Sequence, residues 1–248
     1  MRLEHKTAIV TGGASGFGAG IVRKFVAEGA RVVIADINAE AAGALAHDLG
    51  SRAMAMGVDV SKRDSVAAMA EAVLKSVGHL DILVNNAGVS HLPAPLEDIS
   101  EADFDRVLAV NVKSVYLMAR AFVPHMKARK QGAILNIAST AAVSPRPRLS
   151  WYNASKGWLV TATKSMAVEL APHGIRVNAL NPVAGETPLL KTFMGVDTPE
   201  MRAKFLSTIP LGRFSTPEDI GNAACYLCSD EASMVTGVAL EVDGGRVI

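Results

Sequence analysis

The sequence predicts a doubly wound, three-layer α/β fold, in which a mostly parallel seven-stranded sheet lies between two layers of helices. Three observations point there. Short β-branched runs bounded by turn residues alternate with longer amphipathic stretches along the 248 residues, and right-handed crossovers then wind such units into a parallel sheet. Half of the residues are hydrophobic, 5% are aromatic and 21 are glycine, which suits closely packed α/β layers better than a β-sandwich. No linker, low-complexity tract or internal repeat divides the chain. Residues 1–248 therefore read as one domain, of a size that buries roughly 70–75% of its unfolded surface.

The first strand, KTAIVT, begins almost at the N-terminus, which leaves no room for a signal or transit peptide. It runs into TGGASGFG, Thr11 to Gly18, where the first helix opens. Gly12 suits the tight turn, Gly16 lets a pyrophosphate approach the backbone beside Ser15 and Phe17, and Gly18 permits close packing. The helix start offers unpaired N–H groups and a partial positive charge to phosphates. The spacing is G-x-x-x-G-x-G, not G-x-G-x-x-G, so the loop alone is a weak signal. The second strand, ARVVIAD, strengthens it by ending on Asp36, placed to accept hydrogen bonds from adenosine ribose hydroxyls and to repel a 2′-phosphate. Neither Ser15 nor Ile37 is basic. A Rossmann-type site for NAD, with NADP second, is the expectation.

A third strand leads to Asp59 and Val60, and SVAAMAEAVLKSVG reads as a helix. The fourth strand, LDILVNN, ends in NNAG, Asn85 to Gly88; these asparagines could equally hold the turn by side-chain hydrogen bonds. Asn111 falls in the long helical pattern that follows, and GAILNIA delivers Ser139 from the fifth strand. In WYNASK, Tyr152 and Lys156 stand at i and i+4 and share a helix face. A nearby cation favours phenolate, so Lys156 is expected to lower the Tyr152 pKa towards working pH, which suits proton exchange with a carbonyl or alcohol oxygen. By itself the pair could also be chance.

The sixth strand, IRVNALN, reaches Asn181, Pro182 and Val183. From Thr187 to about Pro210 the chain carries three prolines and no strand. This reads as a helical flap whose Leu189, Leu190, Phe193 and Met194 form an apolar lid, or else as a packed connection. Thr216 and Pro217 start a last helix that ends near Cys225 and Cys228. This CxxC lies far from a helix start and lacks further ligands at suitable spacing, so it is read as packing, with no metal site. A final strand follows in TGVALEVDGG. The net charge of +1 argues against nucleic-acid or anionic-membrane partners, and no stretch is read as a bilayer span. A cytoplasmic location is the default expectation.

TGGASGFG, Asp59-Val60, NNAG, Asn111, Ser139 and YNASK occur in this order, with Tyr152 13 positions after Ser139. In these motifs, and over essentially its whole length, the sequence resembles the short-chain dehydrogenase/reductase family, in its NAD-preferring branch. The resemblance implies an oxidoreductase that interconverts a secondary alcohol and its ketone. Tyr152 would exchange the proton, Ser139 would hydrogen-bond the reacting oxygen, and Lys156 would hold the nicotinamide ribose and favour phenolate. Asn111 would help hold a water that links Lys156 to solvent. Asp59 and Val60 would contact the adenine, and Asn86, Ala87 and Gly88 the centre of the cofactor. Pro182, Val183, Gly185 and Thr187 would meet its nicotinamide end. The sequence departs from the family at Phe17, usually a smaller residue, and at Val183, usually glycine. The resemblance also implies a homotetramer, in line with the apolar circumference of the NVKSVYLMARAFVPHM and KGWLVTATKSMAVELA helices.

Arg146 and Arg148 lie in the loop before Tyr152 and are expected to be solvated surface charges; an inward-pointing one would favour an acidic substrate. A 3-oxoacyl-[acyl-carrier-protein] reductase is the alternative activity, with Lys127, Arg129 and Lys130 docking the acidic carrier. A cofactor-binding sensor without turnover is a third reading, disfavoured because Ser139, Tyr152 and Lys156 are all present.

Overall fold

A computed structural model describes residues 1–248. The strands are β1 (Thr7–Thr11), β2 (Arg31–Asp36), β3 (Ala53–Gly57), β4 (Ile82–Asn85), β5 (Gly132–Ile137), β6 (Ile175–Pro182) and β7 (Ala239–Val242). The helices are α1 (Gly16–Ala27), α2 (Ala39–Leu49), α3 (Arg63–Val77), α4 (Glu101–Leu108), α5 (Ser114–Arg129), α6 (Ser150–Leu170), α7 (Pro188–Met194), α8 (Pro199–Leu206) and α9 (Pro217–Cys228). A π-helical turn, Ala109–Lys113, joins α4 to α5. The sheet runs β3-β2-β1-β4-β5-β6-β7 and every pairing is parallel, so the sheet expected to be mostly parallel is wholly so. The chain leaves β1 in one direction to build β2 and β3, then crosses to β4 and proceeds the other way. Beyond the carboxyl ends of β1 and β4, that reversal opens the crevice in which doubly wound sheets bind ligands.

The two-residue strand period sorts the sheet into two cores. Ala8, Val10, Val32, Ile34 and Leu135 pack with α1, α2 and α9; Ile9, Val33, Leu83, Ile134 and Val177 pack with α3, α5 and α6. Cys225 and Cys228 belong to the first core, and burial pushes both thiols up, Cys228 to about 12. They are protonated packing side chains. Their helix starts as expected: Thr216 and Asp219 form a reciprocal capping box, with Pro217 in the first turn.

Two expectations are corrected here. By length and composition, the continuous run Glu101–Arg129 is apolar enough to cross a bilayer, contrary to the reading that no stretch qualifies. In the fold, Leu117, Met118, Phe122 and Met126 of this run are buried in the second core, which accounts for its apolar face. The other correction concerns the lid. α7 and α8 occupy the stretch read as a flap, without a strand, but Leu190 and Met194 point away from the cleft. They pack with Val183, Phe205, Ile209 and Phe214 in a small core of the flap's own. Leu189 and Phe193, one helix position earlier, line the cleft instead, because residues four apart share a face and their neighbours do not.

Candidate active site

A cleft of ≈ 510 Å³ lies along the carboxyl ends of the strands, within the range of small-molecule sites. At one end, Gly12 adopts a left-handed φ of 60°, and a Cβ there would stand 2.9 Å from the Ala87 backbone. Gly18 packs closer still: a Cβ would lie 2.0 Å from the Gly12 carbonyl oxygen, so its close approach is to the turn after β1. Gly16 faces Thr187. Ser15, the N-cap of α1, makes no side-chain cap, which leaves the opening N–H groups of the helix for an anion. The Asp36 carboxylate lines the same end and accepts from the N–H groups of Ala14 and Asn38, both at 2.9 Å, with lone pairs to spare for hydroxyls. Asp59 lines it too; the Ser61 hydroxyl at 2.6 Å holds its carboxyl below the usual range, and Val60 is buried beside it. Uncapped donors, a glycine cradle and a ribose-facing carboxylate fit the phosphates and sugars of a dinucleotide.

In the middle of the cleft, the asparagines hold the site together. The Asn86 amide donates to the carbonyls of Thr11 and Gly12, both at 2.9 Å, while Thr11 Oγ1 accepts from the N–H groups of Asn86 and Ala87. This ties the glycine loop to the end of β4. Thr11 was not among the expected site residues; a hydroxyl at the last position of a strand was its only signal. Asn85 turns into the core and donates to Asn136 at 2.8 Å, which donates in turn to Thr163. Asn111 sits in the π turn, where its amide donates to the Val89 carbonyl and Ser155 Oγ and accepts from Val89 N–H. Its side chain clamps the segment after β4, and Val89 and Val110, not Asn111, reach the cleft surface.

At the other end, Ser139 follows β5, and Tyr152 and Lys156 project from α6. Ser139 Oγ accepts from Ala141 N–H at 3.1 Å, which leaves its O–H to donate. Lys156 Nζ donates to the Ile137 carbonyl at 2.8 Å and lies 5.8 Å from the centre of the Tyr152 ring. Gly88 keeps space beside it, since a Cβ there would come within 3.4 Å of Nζ. Tyr152 and Lys156 share a face as the spacing requires, but the expected lowering of the phenol pKa is corrected. Burial pushes Tyr152 up to about 12, against a weaker opposing pull from the Ser139 hydroxyl, and pushes Lys156 down to about 8. Desolvation disfavours the charged form of both groups. Phe193 of the flap meets Tyr152 at 5.0 Å between ring centres.

Pro182, Val183, Gly185 and Thr187 all line the cleft at the root of the flap. The two departures from the expected pattern have local explanations. Phe17 fills the space over Gly185, where a Cβ would lie 2.4 Å from its ring, and Val183 joins the flap core while one side faces the cleft. Arg148 is exposed as expected, but Arg146 turns inward and lines the cleft, which corrects the reading of both as surface charges. Arg129 binds Asp81 at the amino edge of the sheet, and Lys127 lies 3.8 Å from Glu169.

Against known proteins, the family model described as enoyl-(acyl carrier protein) reductase matches residues 12–246. The chain is 49% identical to 4-formylbenzenesulfonate dehydrogenase of Comamonas testosteroni, over the full length of both. It is 42% identical to D-threitol dehydrogenase of Mycolicibacterium smegmatis, over 100% of this chain and 95% of that one. A crystal structure of 3-ketoacyl-(acyl-carrier-protein) reductase from Brucella melitensis complexed with NADH superposes with a TM-score of 0.95 at 52% identity, covering 99% of this chain and 100% of the other.

Proposed function

The chain belongs to the short-chain dehydrogenase/reductase family and is an oxidoreductase acting on CH–OH groups with a nicotinamide cofactor; from that premise we propose that it is an NAD-dependent dehydrogenase in which Tyr152 is the acid–base group. The observation that carries the reading is the meeting of the buried Tyr152 and Lys156 with the half-buried Ser139 in one cleft. Bound there, the cofactor takes or supplies the hydride. The chain's own groups manage the proton and the charge on oxygen. In reduction, the Tyr152 O–H donates to the carbonyl oxygen while the Ser139 O–H hydrogen-bonds it and stabilises the charge that develops. In oxidation, Tyr152 accepts the proton from the alcohol. Lys156 is anchored by Ile137; its remaining N–H groups hold the nicotinamide ribose, and its charge stabilises the phenolate that donation leaves behind. Asn111, which flanks Gly88 together with Lys156, helps hold the water that links Lys156 to solvent, and its hydrogen bonds to Val89 and Ser155 fix it there. Phe193 and Leu189 close over the reacting atoms and exclude water.

NAD over NADP is supported by charge at the adenosine end, where Asp36 and Asp59 line the cleft and no lysine or arginine does. The same end supports adenine contacts for Asp59 and Val60. One domain, 1–248, with its flap at about 187–210, remains the proposed organisation. A cytoplasmic homotetramer is the proposed state, supported by Tyr116 on α5 and Trp158 and Val168 on α6, which are exposed. The acyl-carrier reductase stays the alternative, supported by the 52% identity to the 3-ketoacyl-(acyl-carrier-protein) reductase, with Arg129 of its suggested docking trio engaged by Asp81.

The test follows NADH formation across secondary alcohols, hydroxy acids, polyols and 3-hydroxyacyl thioesters, with NADP run in parallel and Asp36→Ala beside the wild type. NAD is expected to be preferred, and Asp36→Ala is expected to move the NAD-to-NADP ratio in kcat/KM towards NADP by about tenfold. A wild type that prefers NADP, or a ratio that Asp36→Ala leaves in place, overturns the assignment.

A further inference from the structure

From the placement of Arg146 in the substrate half of the cleft, we infer that the substrate carries an oxyanion, a carboxylate or sulfonate, on an otherwise apolar body, and that the Arg146 guanidinium binds it; this rests on the oxidoreductase reading above. Arg146 lines the same cleft as Tyr152, at its flap side. The guanidinium lies 4.1 Å over the ring of Phe205 and donates to Thr208 Oγ1 at 3.2 Å. It has no carboxylate within salt-bridge reach, whereas Arg202, Arg213 and Arg129 all have one. A guanidinium has five N–H donors in a fork that matches a carboxylate or sulfonate, and most of these are left without a protein acceptor here.

The surroundings sharpen the inference. Burial, and after it the nearby Arg246 charge, depress the Arg146 pKa; Arg246 too is held by a neutral group, donating to Ser144 Oγ at 3.0 Å. Two like charges brought together without a counter-ion are unfavourable, and a bound anion reverses the sign. The acidic residues that line the cleft, Asp36 and Asp59, are at the adenosine end. Around Arg146 the walls are Leu149, Val183, Leu189, Phe193 and Phe205, which suit an apolar or aromatic body between the anion and the reacting carbon. The loop is fixed for this purpose. Asn153, next to Tyr152 on α6, donates to the Arg146 carbonyl at 2.8 Å, so the backbone of the arginine is fixed by the residue beside the proton donor.

Two measurements test it. In the first, reduction of 4-acetylbenzoate and 4-acetylbenzenesulfonate is compared with that of neutral methyl 4-acetylbenzoate, in wild type, Arg146→Met and the exposed control Arg148→Met. The anions are expected to be favoured in kcat/KM by about tenfold to a hundredfold, the range for a charged hydrogen bond. Arg146→Met is expected to collapse that ratio and Arg148→Met to preserve it. A guanidinium that served only to pin α8 through Phe205 and Thr208 would lower both arms together, and that result overturns the proposal. In the second, calorimetry measures binding of the unreactive 4-methylbenzoate, 4-toluenesulfonate and neutral 4-methylbenzamide to the NAD-loaded protein. Arg146-dependent binding of either anion supports the subsite even if no ketone in the panel is reduced, a result that would count against the underlying activity alone. The two anions separate planar from tetrahedral recognition. Equal binding of anion and amide, or binding that Arg146→Met leaves intact, sinks the inference.

Discussion

At the amino ends of the strands, the buried Asp81 carboxylate accepts from Thr7 N–H at 2.8 Å and from Arg129 at 2.9 Å, with His79 3.3 Å away. At the carboxyl ends of the same sheet, Lys156 and Arg146 are buried or half-buried and are held by neutral groups alone: a carbonyl, a hydroxyl and a ring face. The first arrangement joins β1, β4 and α5 and satisfies its own charges. The second keeps charge unneutralised in a desolvated place, which costs stability and leaves the cations for what binds there. One end of the sheet is built for cohesion and the other for chemistry, although both draw on the same residue types.

Variants can break or sharpen that contrast. The largest effect is expected from Tyr152→Phe. Loss of the proton donor should lower kcat by about a thousandfold while NADH affinity, followed by fluorescence titration, stays nearly unchanged; undiminished turnover would remove Tyr152 from the reaction. At the opposite end, Asp81→Ala should cost about 3 kcal/mol in urea unfolding, because it strands the Thr7 N–H and the Arg129 charge, with kcat/KM near that of wild type. An equal loss of activity would mean that the two ends are coupled.

The smallest expected effect on stability is also the most telling in sign. Lys156→Met should abolish efficient turnover yet raise stability by roughly 2 kcal/mol at pH 7, since burial holds the Lys156 pKa at about 8 and removing the ammonium relieves that penalty. The linkage works as follows: an unfolded lysine still holds its proton between about pH 8 and its ordinary value, whereas the folded one has lost it. Stability of the wild type should therefore rise with pH across that window, and the rise should vanish in Lys156→Met. A destabilised Lys156→Met would mean that the Ile137 hydrogen bond outweighs desolvation.

Much of the site was legible in the chain because its signals are local. The glycine turn after β1, the carboxylate ending β2 and the i, i+4 pairing of Tyr152 with Lys156 depend on turn chemistry, strand length and helical pitch. Thr11 and Asn136 were not legible as site supports. Their partners, Asn86 and Ala87 for one and Asn85 and Thr163 for the other, come from distant segments that only the sheet order brings together. The flap shows the boundary within a single helix. Its apolar residues were plain in the sequence, but which of them faced the cleft depended on how α7 turned against α8.

The sequence by itself determined the alternation of strands and helices, the parallel sheet and the glycine turn after β1, because periodicity and short-range geometry specify all of these; the order of its motifs, through a family resemblance, singled out Ser139, Tyr152 and Lys156. The tertiary structure alone decided that Arg146 points inward while Arg148 does not, that Asn111 clamps Val89, and that burial pushes the Tyr152 phenol up. The physical reason is that desolvation and charge pairing are sums over all neighbours in space, and for these residues most of the neighbours lie far away along the chain.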